Sequence, residues 1–157
     1  MIRVLLVDDF AAFHQPFALL IEREPDLTVV GQVGSVAEVR DILPNVVAGI
    51  RLDVACVDLD LPDGVGLDVI RTLRVAAPTA SAVVLTADAD PDRLADAVEA
   101  GAAGLIHKSR PIADVIAAVR SLGRGEPLLA PRQPSIFSNR PPRAAKPTDR
   151  PGRRSRG

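Results

Sequence analysis

The chain has 157 residues, 47% of them hydrophobic and 25% charged, which is enough to bury one core and too few for two ordinary domains. No apolar run approaches the length of a membrane-spanning helix, and MIRVLLVDDF meets two aspartates too early for a signal peptide, so a soluble cytoplasmic protein is expected. The net charge of −1 hides an asymmetry: residues 1–130 hold 19 acids against 11 bases, whereas residues 131–157 hold eight bases, one acid (Asp149) and six prolines.

The first apolar run, IRVLLV (2–7), ends in Asp8-Asp9. Phe13, Phe17, Leu20 and Ile21 then follow the 3.6-residue period of a helix. A start near Ala11 puts Pro16 just beyond the first turn, where it is expected to shift or kink the helix. The second run, LTVVGQV (27–33), leads to Ser35, an N-cap with Glu38 at the capping-box distance, and to Val36, Val39, Ile42, Leu43, Val46 and Val47 at helical spacing. DVACVD (53–58) is the third run. It carries Cys56, the chain's only cysteine, which reads as a buried thiol because no adjacent cation favours the thiolate. Pro62-Asp63-Gly64 turns the chain into a helix marked by Leu67, Ile70 and Leu73.

SAVVLT (81–86) ends in Thr86 and is followed by Leu94, Ala97 and Val98 on a helix with Pro91 in its first turn and Gly101 at its end. AGLIH (103–107) runs into Lys108, and Ile112, Val115, Ile116, Val119 and Leu122 make the last helix, with Pro111 in its first turn and Gly123 at its end. Beyond Ala130 there are too few apolar side chains to offset the entropy of ordering. The expected division is a folded domain over 1–130 and a disordered Pro/Arg-rich tail over 131–157.

Unbroken apolar runs fit strands buried on both faces, and their alternation with helices gives a (βα)₅ doubly wound parallel sheet. In such sheets sites form at the C-terminal ends of the strands. The residues there are Asp8 and Asp9, Asp58, Thr86 and Lys108. A single aspartate after a strand most often caps a helix, but this set is hard to read as capping alone. Three clustered carboxylates need protons or a cation, and an all-oxygen site suits Mg²⁺. A carboxylate so placed, flanked by an ammonium and a hydroxyl, is a good acceptor for a phosphoryl group. The D-x-D of VDLDLPDG (57–64) fits either a phosphate-cleaving enzyme or a protein that holds phosphate as a signal.

VLLVDD, VDLDLPDGVGLDVI, VVLTA and GAAGLIHKS, in this order and spacing over roughly residues 1–125, resemble the receiver domain of bacterial response regulators. AAVRSLGRGEPLLAP is similar to the end of the receiver in regulators that carry a helix-turn-helix domain. The resemblance implies a flavodoxin-like fold with strand order 2-1-3-4-5. It implies Asp58 as the phosphoacceptor, Asp9 as a direct Mg²⁺ ligand, Asp8 acting mainly through water, and the Asp60 backbone carbonyl as a further ligand. Lys108 would pair with the phosphoryl group and Thr86 would hydrogen-bond it, while Asp60 and Asp88 would tune its hydrolysis. The donor would be a sensor histidine kinase or a small phosphodonor. The chain would be a phosphoacceptor with slow autodephosphorylation rather than an enzyme, and its readout a partner or a homodimer through the helix 4–strand 5–helix 5 face or helix 1.

The sequence departs from the family at Leu105, where an aromatic residue usually stands three positions before the lysine, and after Pro131, where no helix-turn-helix follows. The implied protein is thus a stand-alone or truncated response regulator for which sequence-specific DNA binding is not expected. Two alternatives accompany this reading. A Mg²⁺-dependent phosphatase of the haloacid dehalogenase type also uses D-x-D, but on its first strand and without an upstream Asp-Asp pair. A non-cycling receiver acting as a protein-binding module is the second, supported by Leu105. His14 reads as a solvated or partner-contacting side chain, and His107 as a structural histidine beside the site.

Overall fold

The computed structural model describes residues 1–126 apart from positions 10, 50, 62, 63, 88 and 89. Strands β1 (Ile2–Val7), β2 (Leu27–Val33), β3 (Val54–Asp58), β4 (Ser81–Thr86) and β5 (Gly104–His107) form one sheet in the order β2-β1-β3-β4-β5. Every pairing in it is parallel, as the unbroken apolar runs require. Helices α1 (Ala11–Glu22), α2 (Val36–Gly49), α3 (Gly66–Ala76), α4 (Pro91–Ala100) and α5 (Ile112–Gly123) connect and follow the strands. This is the flavodoxin-like order expected.

Side chains alternate across a strand, so each central strand feeds two cores. Leu5 and Val7 of β1, Val57 of β3 and Val84 of β4 pack with Val39 and Leu43 of α2, Val69, Ile70 and Leu73 of α3, and Leu94 of α4. On the other face Val4, Leu6, Cys56, Val83 and Leu85 meet Phe17 and Ile21 of α1 and Val115, Val119 and Leu122 of α5. Cys56 is buried as expected, and desolvation pushes its thiol up to about 12.

The helix ends follow local chemistry. The Glu38 N–H donates to Ser35 Oγ at 3.1 Å, and Glu38 Oε2 accepts from the Gly34 N–H at 2.8 Å, so the capping pair closes one residue earlier than the usual box. Asp90 caps α4 by accepting from the Asp92 N–H, with Pro91 at the helix start and Gly101 leaving it at φ 113°. Pro111 lies one residue before α5, as its N-cap residue, rather than inside the first turn. Pro16 removes one backbone donor from α1 without ending it, and Pro44, which the periodic pattern passes over, does the same in α2. Both rings face solvent, and the apolar stripe of each helix outweighs one missing hydrogen bond.

Two features lie outside the periodic pattern. Asp60–Leu61 and Gly64–Val65 pair as a short antiparallel ladder between β3 and α3. Near the N-terminal edge of the sheet, Arg120 of α5 reaches the turn between α1 and β2, with Nε 2.7 Å from Asp26 Oδ2 and Nη2 2.7 Å from Glu24 Oε2. Among the described residues no helix is long and apolar enough to cross a membrane. The segment 131–157, expected as a disordered tail, lies outside the described residues.

Two tests follow from this packing. A Cβ on Gly66 would overlap the Asp58 carbonyl oxygen and stand 2.9 Å from Leu59 Cα, both backbone atoms. Gly66→Ala is therefore expected to destabilise the domain by about 1–3 kcal/mol, read by urea denaturation; unchanged stability would show that α3 can retreat from β3 at no cost. The Arg120 hydrogen bonds hold the Asp26 carboxyl below its ordinary value. A depressed carboxyl contributes stability above its unfolded value and loses it as pH falls through the folded one. Arg120→Ala should lower the melting temperature by a few degrees at neutral pH, and the gap should close toward about pH 3, below the ordinary aspartate range.

Candidate functional site

The parallel sheet brings the ends of β1, β3, β4 and β5 to one rim. Register pairs Val7 with Val57, Asp58 with Leu85, and Thr86 with His107, so the polar residues that terminate these strands stand side by side. Among the described residues the buried polar or charged side chains are Asp8, Asp58 and Thr86, at 4%, 5% and 3% exposure. All three sit on this rim. Burial without a polar partner is expensive for such groups, which makes their contacts informative.

Lys108, one residue beyond β5, supplies the main one. Its Nζ lies 2.8 Å from Asp8 Oδ2 and 3.1 Å from Asp58 Oδ2. The Lys108 N–H donates to the Thr86 carbonyl at 2.8 Å, which fixes the base of the lysine beside β4. Asp58 Oδ1 accepts from the Asp60 N–H at 3.0 Å. Desolvation raises the Asp58 carboxyl above its ordinary value, and the Asp8 charge adds to this, against the Asp60 N–H and Lys108, which favour the carboxylate. Burial pulls the Lys108 ammonium down, but Asp8 and Asp58 outweigh it and hold it above its ordinary value, charged.

Asp9 is exposed and faces the same space. Carboxylate oxygens of Asp8, Asp9 and Asp58 lie within 4.8 Å of one another. One ammonium leaves this trio with net negative charge, and a set of hard oxygen donors fits a divalent cation such as Mg²⁺. The fold thus brings together the three carboxylates singled out at the strand ends.

Of the other residues singled out in the sequence, Leu105 is partly buried and packs against the α2–α3–α4 core. His107 stands beside the site with its ring fully used. Nδ1 accepts from the Ser109 N–H at 3.0 Å and lies 2.6 Å from the Ser109 hydroxyl, while Nε2 is 3.1 Å from the Ala87 carbonyl oxygen. A tautomer carrying its proton on Nε2 matches this set of partners. Asp88 and Asp63 lie outside the described residues, as does the side chain of His14.

Sequence reasoning missed Arg93. Its Nη2 lies 2.5 Å from Asp60 Oδ1, and with Leu59, Leu67 and Asp96 it lines a cleft of about 210 Å³. No motif marks it, but one signal was present: a lone cation in the first turn of a helix, where the macrodipole favours anions, between Asp90, Asp92 and the rim.

Comparison with known proteins agrees with this geometry. The chain is 36% identical over 129 residues to the DNA-binding transcriptional activator DevR/DosR of Mycobacterium tuberculosis, covering 82% of this chain and 58% of that protein. It spans about three fifths of the length of such curated relatives. Its fold matches the crystal structure of a LuxR-family two-component response regulator from Aurantimonas at a TM-score of 0.73 and 26% identity, over 86% of this chain and 94% of that one. A response regulator from Burkholderia pseudomallei, solved with a phosphorylated aspartic acid, a calcium ion and citrate, matches at a TM-score of 0.66 and 26% identity, over 80% of this chain and 70% of that one. Residues 4–120 match the response regulator receiver domain, and the chain belongs to that family.

Proposed function

We propose that this chain is a phosphorylation-dependent switch of a two-component system, in which Asp58 accepts a phosphoryl group from a sensor histidine kinase. The observation that carries the reading is the pairing of a buried Asp58 with Lys108, beside Asp8 and Asp9, at the tip of the central strand. In the transfer an Asp58 carboxylate oxygen bonds to phosphorus as the P–N bond to the donor histidine breaks, and the imidazole leaves with the electron pair. Lys108 exchanges part of its contact with Asp58 for the incoming phosphoryl oxygens, and the Thr86 hydroxyl donates to one of them. Asp8, Asp9, Asp58 and the Asp60 carbonyl would hold Mg²⁺, which when bound neutralises charge on the phosphoryl oxygens.

The acyl phosphate adds nearly two negative charges to the rim. That charge biases the chain after Thr86 and the α4–β5–α5 face between two arrangements, and that face or α1 is the proposed surface for a partner or second copy. Leu105 already packs into the core, so no side chain at this position has to move inward. The site is that of a phosphoacceptor with slow autodephosphorylation, tuned by Asp60 and Asp88, rather than of a turnover enzyme. The protein's place is the cytoplasm, and the chain divides into a receiver unit over 1–130 and a Pro/Arg-rich segment over 131–157. Sequence-specific DNA binding is assigned to neither. The phosphatase alternative has no support in the family to which the chain belongs. A receiver that binds partners without cycling keeps one supporting observation, the packing of the apolar Leu105 against the core.

Incubation with acetyl phosphate and Mg²⁺, followed by intact mass, is expected to show one added phosphoryl group, absent in Asp58→Asn and absent when the metal is chelated. No adduct from competent donors would favour the binding module, and turnover of a generic phosphomonoester would favour the phosphatase. Asp60→Asn should change the rate of phosphoryl loss while leaving Asp58 the modified residue; an unchanged decay would remove Asp60 from the tuning role.

A further inference from the structure

Asp60 touches the site with its backbone and α4 with its side chain. Its N–H donates to Asp58 Oδ1, while its carboxylate, 64% exposed, forms the ion pair with Arg93. The carboxylate two residues beyond Asp58 is therefore open to solvent, and a guanidinium engages it. Arg93 is itself two-thirds covered, and the buried Leu59 stands with it in the wall of the same cleft.

Electrostatics gives this pair a purpose beyond tethering α4. Asp8, Asp9 and Asp58 already crowd three carboxylates together, and Asp60 adds a fourth charge two residues from the acceptor. An exposed carboxylate next to an acyl phosphate is a hydrogen-bond acceptor for water, and a water held there is near phosphorus. A carboxylate engaged by a charge-assisted hydrogen bond to arginine has less capacity to hold that water.

We propose that Arg93 is a positioning residue that lengthens the phosphorylated state by holding the Asp60 carboxylate away from the hydrolytic water. The inference rests on Asp58 being the acceptor. In the step it slows, a water oxygen bonds to phosphorus as the P–O bond to Asp58 breaks. Asp58 leaves as the carboxylate with the electron pair, inorganic phosphate departs, and the surplus water proton goes to solvent. Arg93 takes no part in bond making; it acts through Asp60.

The test is phosphoryl decay after acetyl phosphate labelling in Mg²⁺ and removal of the donor, followed by intact mass. Arg93→Ala is expected to lose the group about two- to tenfold faster, the range one hydrogen bond commands in a rate. Arg93→Lys, which keeps the charge near Asp60, should recover most of the lifetime. In an Asp60→Asn background the Arg93→Ala change should have no further effect, because the carboxylate it restrains is gone. A merely structural Arg93 would show the same acceleration with or without Asp60, and that result overturns the proposal, as does unchanged decay in Arg93→Ala. Should Arg93→Ala melt early, Arg93→Gln, which keeps the length of the side chain and removes its charge, takes its place in both backgrounds, with the same two outcomes. A wild-type chain that takes up no phosphoryl group removes the Asp58 reading first, and this inference with it.

Discussion

Two carboxylates buried at the edge of a parallel sheet repel each other and forfeit hydration, and the ammonium of Lys108 between Asp8 and Asp58 is what makes that arrangement tolerable. The contact links the first, third and fifth strands across the whole switch point, so it exists only if the sheet closes in the right order. The same contact leaves the site unfinished, since one positive charge faces three acids. A rim that is negative and open on the Asp9 side is a place where a divalent cation would relieve the repulsion among the clustered carboxylates.

The remainder of the fold delivers those residues to the rim. Alternation along β1 and β3 sends successive side chains into two separate cores, and neither face tolerates a register slip. Gly66 admits the start of α3 against the carbonyl of Asp58, so β3 and the helix after it are in backbone contact. At the far end, Arg120 ties α5 to the α1–β2 turn. Asp58 is thus held by packing on both sides and by backbone beneath.

Much of this was legible in the sequence, because continuous apolar runs and helical spacing report burial directly. Asp8, Asp58, Thr86 and Lys108 were legible for a related reason: in a parallel sheet a residue's place at the end of an apolar run fixes its place on the rim. Partners chosen by tertiary geometry were not. Arg93 meets Asp60, and Arg120 meets Asp26, over separations that no local pattern encodes. Pro44 lies inside α2 because the buried stripe overrides a local helix breaker, a contest that propensity alone decides the other way. Pro111 fell one residue outside its expected position because its backbone is extended, at ψ 138°.

Cys56 has a consequence for how this molecule can be measured. It is the only thiol in the chain, lies 2% exposed in the middle strand of the sheet, and has its thiol pushed up to about 12 by burial. A soluble alkylating reagent has no route to it unless α1 or α5 lifts from the sheet or the sheet itself opens. The rate at which the native protein consumes such a reagent is therefore a clock for rare opening of the core, needing neither denaturant nor an added probe. Run in the presence and absence of whatever occupies the rim, that clock reports how strongly occupancy at the strand ends braces the strands beneath.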